Sequence, residues 1–426
     1  MSSFDGIIRE FNVAVDFFKP TTFNCLSFFL SHCHSDHTNG LREDSFIDHL
    51  RQPDVYLYCS DITAHFLVSK FRRLSEVKDK IVALQPSAPS LVRSQGVDCD
   101  GHCQEVTVST IPAGHCPGSV IRFLFEGEHA TVLYTGDFRL AQGDVCKLKQ
   151  LHVGGGAPRA INTLYLDTTF LTPRYWTFPA REQSVVTTCQ LAQDWMLAGP
   201  HCHVVLLLPA WTGTEYLFVR VAKHFNTKIH VLPGLYSILR DIPEVFDAVT
   251  DDNSKRIHAV MNKDISELKN HIGNVVLKKI QLSAKYFENT EADRKVTWCE
   301  DTDDTYSRVC YSSHCSFSEL RDFVRHLRPR KVFPCVRPFY TSGCEVKVLL
   351  QELGVPQVDL SIFAKEQVLD EDETASERIE AQRYSFLPTV RLTENKTVRL
   401  PVMEELVDSP PPKRKHLQHI KLDCFI

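Results

Sequence analysis

At 426 residues the chain is long enough for two domains, or for one large domain with an insertion, plus a tail. Its 43% hydrophobic and 24% charged content is that of an ordinary globular protein, and no run of about 18 apolar residues marks a membrane span, so no membrane partner is expected. A net charge of −5 excludes a globally basic nucleic-acid coat, leaving only local basic patches for such a role. Fifteen scattered cysteines, no C-x-x-C pair and no signal-like start point to a reducing compartment.

In chain order, residues 13–16 form a short apolar run ending on Asp16, and residues 26–30 form another that leads into Ser31-His32-Cys33-His34-Ser35-Asp36-His37-Thr38. An extended backbone puts His32 and His34 on one side, because alternate residues share a side. Asp36 and His37 then turn towards a second position. Imidazole and carboxylate together ligate zinc and similar divalent ions. Residues 55–59 alternate like a strand. Residues 62–80 read as one helix whose Lys70, Arg72, Arg73, Lys78 and Lys80 form either a solvated face or phosphate contacts. Cys99 to Cys103, with His102 between them, look locally like a metal knuckle but have no obvious partner pair and read instead as a polar loop.

A repeated grammar follows. Residues 106–111 form a strand leading to Ala113-Gly114-His115, and residues 121–125 pair with 131–135 as a hairpin ending in Gly136-Asp137. Residues 163–166 end in Asp167. Each strand delivers a histidine or an aspartate at its end, the usual arrangement of an active site on a rigid sheet.

Beyond Phe170 the pattern changes to strand 203–208, helix 215–225 and strand 228–232, a βαβ unit implying a parallel sheet with helical cover. Residues 275–282 add a strand, and the acidic stretch 288–305 reads as a loop. Gly154-Gly155-Gly156 reads as a flexible turn. His314 precedes a capping box, Ser316 to Glu319, and a helix with Leu320, Phe323, Val324 and Leu327 at helical spacing. Ser313, Ser316 and Ser318 are placed either to contact a substrate phosphate at that helix N-terminus or only to cap it. Residues 331–336 form the next strand, and Arg321, Arg325, Arg328, Arg330, Lys331 and Arg337 make this the most basic part of the fold. From about residue 367 the chain turns acidic and then proline-rich and reads as disordered, with the nuclear-import-like cluster Lys413-Arg414-Lys415.

The ordered set Asp16, His32-x-His34-x-Asp36-His37, His115, Asp137, Asp167 and His314 resembles the metallo-β-lactamase fold with a β-CASP insertion. The phrases FFLSHCHSDH, PAGHCPGSV, TVLYTGDFRLAQG, LYLDTTF and SSHCSFSEL narrow the likeness to the Artemis and Apollo family of DNA cross-link-repair nucleases, over roughly residues 1–360. The resemblance implies an α/β αββα sandwich: residues 1–168 as the first part of the lactamase domain, 169–306 as a βαβ-type insertion, 307–362 as the closing part and 363–426 as a tail. It implies that His32, His34, His115 and Asp137 hold a tight Zn2+. Asp36, His37, Asp137 and His314 would hold a second divalent ion (Zn2+, Mg2+ or Mn2+), while Asp16 and Asp167 orient the site. Two metals sharing a carboxylate suit in-line displacement at phosphorus.

The activity implied is cleavage of DNA ends, hairpins and overhangs in double-strand-break repair by non-homologous end joining, in the nucleus. The alternatives are an Apollo-like 5′–3′ exonuclease at cross-links or telomeres, and a β-CASP ribonuclease. Implied partners are DNA, the DNA-dependent protein kinase and end-joining factors. Three departures stand out. His230 and His258 match the histidines of an accessory zinc site, but Val260 replaces the nearer cysteine, so no structural zinc is expected in the insertion. Ser35 stands where the Artemis branch has a lysine, and no counterpart of that branch's long regulatory tail is expected.

Overall fold

The computed structural model describes residues 4–85, 88–97, 103–114, 122–210, 213–293 and 295–364. The tail beyond residue 364 and the loop carrying His115 therefore lie outside the described residues, as does Cys99 to His102.

Strands β1 (Ile7–Ile8), β2 (Val13–Val15), β3 (Ser27–Phe29), β4 (Tyr56–Ser60) and β5 (Ile81–Leu84) form a first sheet, parallel from β2 onwards. Strands β6 (Ser90–Val97), β7 (Cys103–Ile111), β8 (Arg122–Glu126) and β9 (Thr131–Tyr134) are antiparallel, and β10 (Thr163–Leu166) lies parallel to β9. The chain then leaves to build a third sheet: β11 (Cys202–Leu208), β12 (Ile229–Val231), β13 (Val249–Thr250), β14 (Ile257–Met261), β15 (Val276–Leu282), β16 (Cys299–Asp303) and β17 (Tyr306–Val309). It returns as β18 (Lys331–Pro334), parallel beside β10, and β19 (Gln357–Val358), completing the second sheet.

The consecutive residues Phe28 and Phe29 explain why the first two sheets stack. They alternate across β3, so Phe29 joins Val15, Phe123, Phe125, Tyr134 and Tyr165 between the sheets. Phe28 instead packs outward with Phe46, Ile47 and Leu67 of the helices Asp44–Leu50 and Asp61–Lys70. Each such buried ring contributes roughly 2 kcal/mol. On the far side of the second sheet, Leu320, Phe323, Val324 and Leu327 of the helix Phe317–Leu327 cover Leu124, Leu133, Leu164 and Val332. Helix, sheet, sheet and helix are thus held by three apolar seams, the α/β sandwich expected from the sequence.

The third sheet is parallel apart from β16. Its central strand β11 is buried along its whole length, as a strand covered on both faces must be. The helix Glu215–Phe225 has the expected bounds and ends at Asn226 in the left-handed region, φ 47°. The strand after it pairs with β14 rather than directly with β11, so the βαβ unit skips one position.

Two expectations need correction. Residues 288–305 are not all loop, because Cys299–Asp303 pairs antiparallel with β17; cross-strand bonding overrides an acidic composition that an exposed edge tolerates. The helix expected over 62–80 stops at Lys70. Phe71, extended at φ −118° and ψ 100°, separates it from a single turn, Arg72–Ser75.

His203, His230 and His258 lie on the adjacent strands β11, β12 and β14, buried. His258 places Nε2 2.9 Å from Nδ1 of His203 and Nδ1 2.9 Å from Nδ1 of His230. Burial first, then His230 and His203, push His258 down to about 3. Burial also lowers His203, helped by Arg256. It lowers His230 as well, helped by His271 and opposed by Asp252 and Asp251. The unfolded chain protonates such rings near about 6.5. The stability they allow is therefore complete above that pH and is lost as pH falls towards the folded value. His258→Leu should flatten the fall in Tm between about pH 7 and pH 5, followed by scanning calorimetry. An unchanged slope would show that these rings are not the acid-sensitive groups.

Candidate metal centre

The site sits where strands end. Asp16 closes β2, residues 31–37 follow β3, Asp137 follows β9 and Asp167 follows β10; β2 and β3 run parallel, as do β9 and β10. Their C-terminal loops therefore emerge together. His314 arrives from the third sheet, between β17 and the helix Phe317–Leu327.

Asp16 takes a left-handed backbone, φ 55°, which aspartate tolerates better than most side chains. That turn aims its carboxylate inward, where Ser31 donates from both its backbone N–H (2.7 Å) and its hydroxyl (2.6 Å), Tyr134 donates from 2.8 Å and His37 Nδ1 from 2.7 Å. Since the Ser31 hydroxyl proton is committed to Asp16, its oxygen accepts from His32 Nδ1, 2.9 Å away. Asp167 plays the same part for His314: Oδ2 accepts from Nδ1 at 2.8 Å, while Oδ1 accepts from the backbone and hydroxyl of Thr169. Three histidines thus spend Nδ1–H on fixed oxygens and turn Nε2 inward, as metal-ligating histidines do.

Asp137 is where they meet. Its carboxylate lies 3.6 Å from His32 Nε2, 3.3 Å from His37 Nε2 and 3.9 Å from His314 Nε2. His34 brings Nδ1 to 3.0 Å from His32 Nε2. Donor atoms of His32, His34 and Asp137 converge within 4.8 Å of one another, and so do those of Asp137, Asp167 and His314. Burial by itself would raise the Asp137 carboxyl, but His37 and His314 hold it well below the usual range. Burial would likewise lower His37 and His314. Carboxylates override it, Asp137 and Asp16 holding His37 well above its ordinary value, Asp167 and Asp137 bringing His314 to about 9. The buried His37 Nε2 has no hydrogen-bond partner. An imidazole nitrogen that faces a carboxylate at 3.3 Å without a well-formed hydrogen bond is what a divalent cation would complete.

The structure brings together Asp16, His32, His34, His37, Asp137, Asp167 and His314. Asp36 is more exposed, 4.0 Å from His37 Nε2, at the mouth of the site. His115 lies outside the described residues, as does the Lys70 side chain. Arg72 and Arg73 are exposed and paired with Glu76 and Asp44. Ser316 and Ser318 need correction. Both are buried, the Ser316 hydroxyl accepts from the Glu319 backbone, and Glu319 Oε2 accepts from the Ser316 N–H at 2.7 Å. The anion place at that helix N-terminus is filled by the chain's own carboxylate. Ser313 is only half-buried. Sequence reasoning missed Ser31 and Tyr134; the first is signalled only by its place before His32, and Tyr134 looks like one more apolar strand residue.

Residues 244–339 match the family model described as DNA repair metallo-beta-lactamase. The chain is 34% identical over 354 residues to the 5′ exonuclease Apollo of Gallus gallus, covering 81% of this chain and 67% of that one. It belongs to the Artemis and Apollo family of DNA-repair metallo-β-lactamases. It is also 35% identical over 369 residues to the Artemis protein of Homo sapiens, covering 83% of this chain and 52% of that one, and 34% identical over 364 residues to that of Danio rerio, covering 83% and 56%. The chain thus spans about half the length of the Artemis proteins it matches. Within this Artemis and Apollo family member, the matched segment 244–339 includes His314 and β18, where the third sheet rejoins the second.

Because Asp16 accepts four hydrogen bonds, Asp16→Asn should weaken divalent-ion binding roughly 10–100-fold without unfolding the protein. Calorimetric titration with Zn2+ and with Mn2+, alongside circular dichroism, checks this. Wild-type affinity in the variant would remove Asp16 from the site.

Proposed function

We propose that the chain is a metal-dependent DNA nuclease acting on ends, hairpins and overhangs in double-strand-break repair in the nucleus. The single observation that carries this reading is Asp137, one buried carboxylate on which two groups converge, His32 with His34 and His314 with Asp167 behind it. His32, His34, Asp137 and, by family resemblance, His115 would hold one Zn2+. Asp137, His314, His37 and Asp36 would hold a second divalent ion, Zn2+, Mg2+ or Mn2+. When bound, such a pair supplies a nucleophile at neutral pH and neutralises charge on a phosphate undergoing in-line displacement.

The chain's own residues do the rest. Asp16, through Ser31 and His37, and Asp167, through His314, fix the imidazole orientations. The first two sheets with β18 and β19 would form the lactamase part, residues 1–168 and 307–362, and the third sheet an insertion over 169–306. The insertion holds no structural zinc in this reading, because His258 gives its two ring nitrogens to His203 and His230 and Val260 offers no thiolate. Partner contacts with the DNA-dependent protein kinase and end-joining factors belong to the same proposal. A second reading, 5′-exonuclease action, is favoured by the 67% coverage of chicken Apollo.

Digestion of end-labelled hairpin, overhang and blunt DNA, with matching RNA and with each metal in turn, tests the activity. Metal-dependent DNA cleavage is expected, and Asp137→Asn should reduce it to background in a folded protein. Cleavage by that variant, or cleavage of RNA alone, would overturn the reading. Cuts confined to stepwise loss from 5′ ends would select the second.

A further inference from the structure

Arg139 lies two residues beyond Asp137 in the loop after β9, and its side chain is buried, 7% exposed. Its guanidinium reaches three segments at once. Nη1 donates to the Ser312 carbonyl at 3.1 Å, Nη2 donates to the Pro179 carbonyl at 2.9 Å, and Nε and Nη2 both reach Glu319 Oε1, at 3.4 and 3.3 Å. Pro179 stands just ahead of the helix Arg181–Met196, where the chain passes into the third sheet, and Ser312 stands just past β17, where it leaves. One side chain therefore pins both crossings to the loop that carries Asp137. Glu319 also closes the N-terminus of the helix that follows His314.

The backbone around Arg139 does the same work. Its N–H donates to the Ala113 carbonyl at 3.1 Å, and a Cβ on Gly114 (φ +65°) would stand only 2.8 Å from the Arg139 carbonyl oxygen. The Phe138 carbonyl accepts from the Cys315 N–H at 2.9 Å, and the Leu140 N–H donates to Cys315 Sγ at 3.3 Å. His314 thus lies between two residues, Ser312 and Cys315, that are both fastened to residues 138–140.

We infer that Arg139 is a positioning residue: by holding Pro179 and Ser312 it sets His314, and with it the second ion, relative to Asp137. The inference rests on the nuclease reading for its activity arm but not for its ion-binding arm. A planar fork with fixed donors meets three acceptors in different directions, which an ammonium on a flexible stem does not reproduce. A role in folding alone would instead lower stability and leave the second ion untouched.

The test is titration of full-length protein, already carrying one equivalent of Zn2+, with Mn2+ and no DNA, read by electron paramagnetic resonance. Wild type, Arg139→Lys, Glu319→Gln and Asp137→Asn are compared, with kcat and KM measured in parallel at fixed Mn2+. Arg139→Lys should retain the Zn2+ and lose Mn2+ affinity roughly 10–100-fold. Its kcat should fall more than its KM changes, with partial recovery at high Mn2+. Glu319→Gln keeps both carbonyl contacts and should show the same direction at smaller size; it serves as the reading if Arg139→Lys does not accumulate folded. Wild-type Mn2+ affinity in the folded variant overturns the inference, even where Tm has dropped. If wild type binds both ions yet cuts no DNA, the nuclease reading fails and the positioning role stands on the ion data.

Discussion

A carboxylate taken out of water needs positive charge close by, and Asp137 is such a carboxylate, 7% exposed. Everything around it meets that requirement. His37 and His314 turn Nε2 towards it, and Asp16 and Asp167 stand behind those rings to fix which nitrogen faces in. The arrangement draws in either protons or cations. Aligned imidazoles backed by carboxylates favour a cation, because each ring already donates its other N–H.

That constraint explains the weight of connections at the ends of strands. Asp16 adopts a left-handed backbone, which costs about 1 kcal/mol or more, and four hydrogen bonds to one carboxylate offset it. Two parallel strand pairs, β2 with β3 and β9 with β10, deliver the acids and histidines from rigid positions rather than from long loops. Among the described residues of the site, only His314 follows a strand of the third sheet. The polar contacts of Arg139 and the capping by Glu319 gather at that point, where the path between ligands is longest and most in need of fixing.

The third sheet has a separate logic. Its central strand is buried along its whole length, and buried polar groups in the sheet satisfy one another, as in the row His203, His258 and His230. Burial lowers all three rings and so keeps this row neutral. The sheet is thereby sensitive to acid through groups unlike those of the metal centre, where carboxylates stabilise the charged ring.

The sequence by itself determined the candidate ligand types and their order, because H-x-H-x-D-H and aspartates at strand ends are local patterns that coordination chemistry favours. It also determined the strands β9, β10, β11 and β15 and the helices Glu215–Phe225 and Phe317–Leu327, whose apolar spacing matches their burial. It did not reveal the helix Arg181–Met196, whose apolar face is interrupted by threonines and glutamines, or the edge strand Cys299–Asp303, which exists only through its partner. Tertiary structure alone decided that Ser316 is a buried cap with Ser318 buried beside it, that Tyr134 and Ser31 serve Asp16, and that Arg139 joins both crossings to the Asp137 loop. Those roles depend on atoms up to 180 positions apart in the chain. Local pattern reports which groups a strand end offers; only the folded chain settles which distant group receives them.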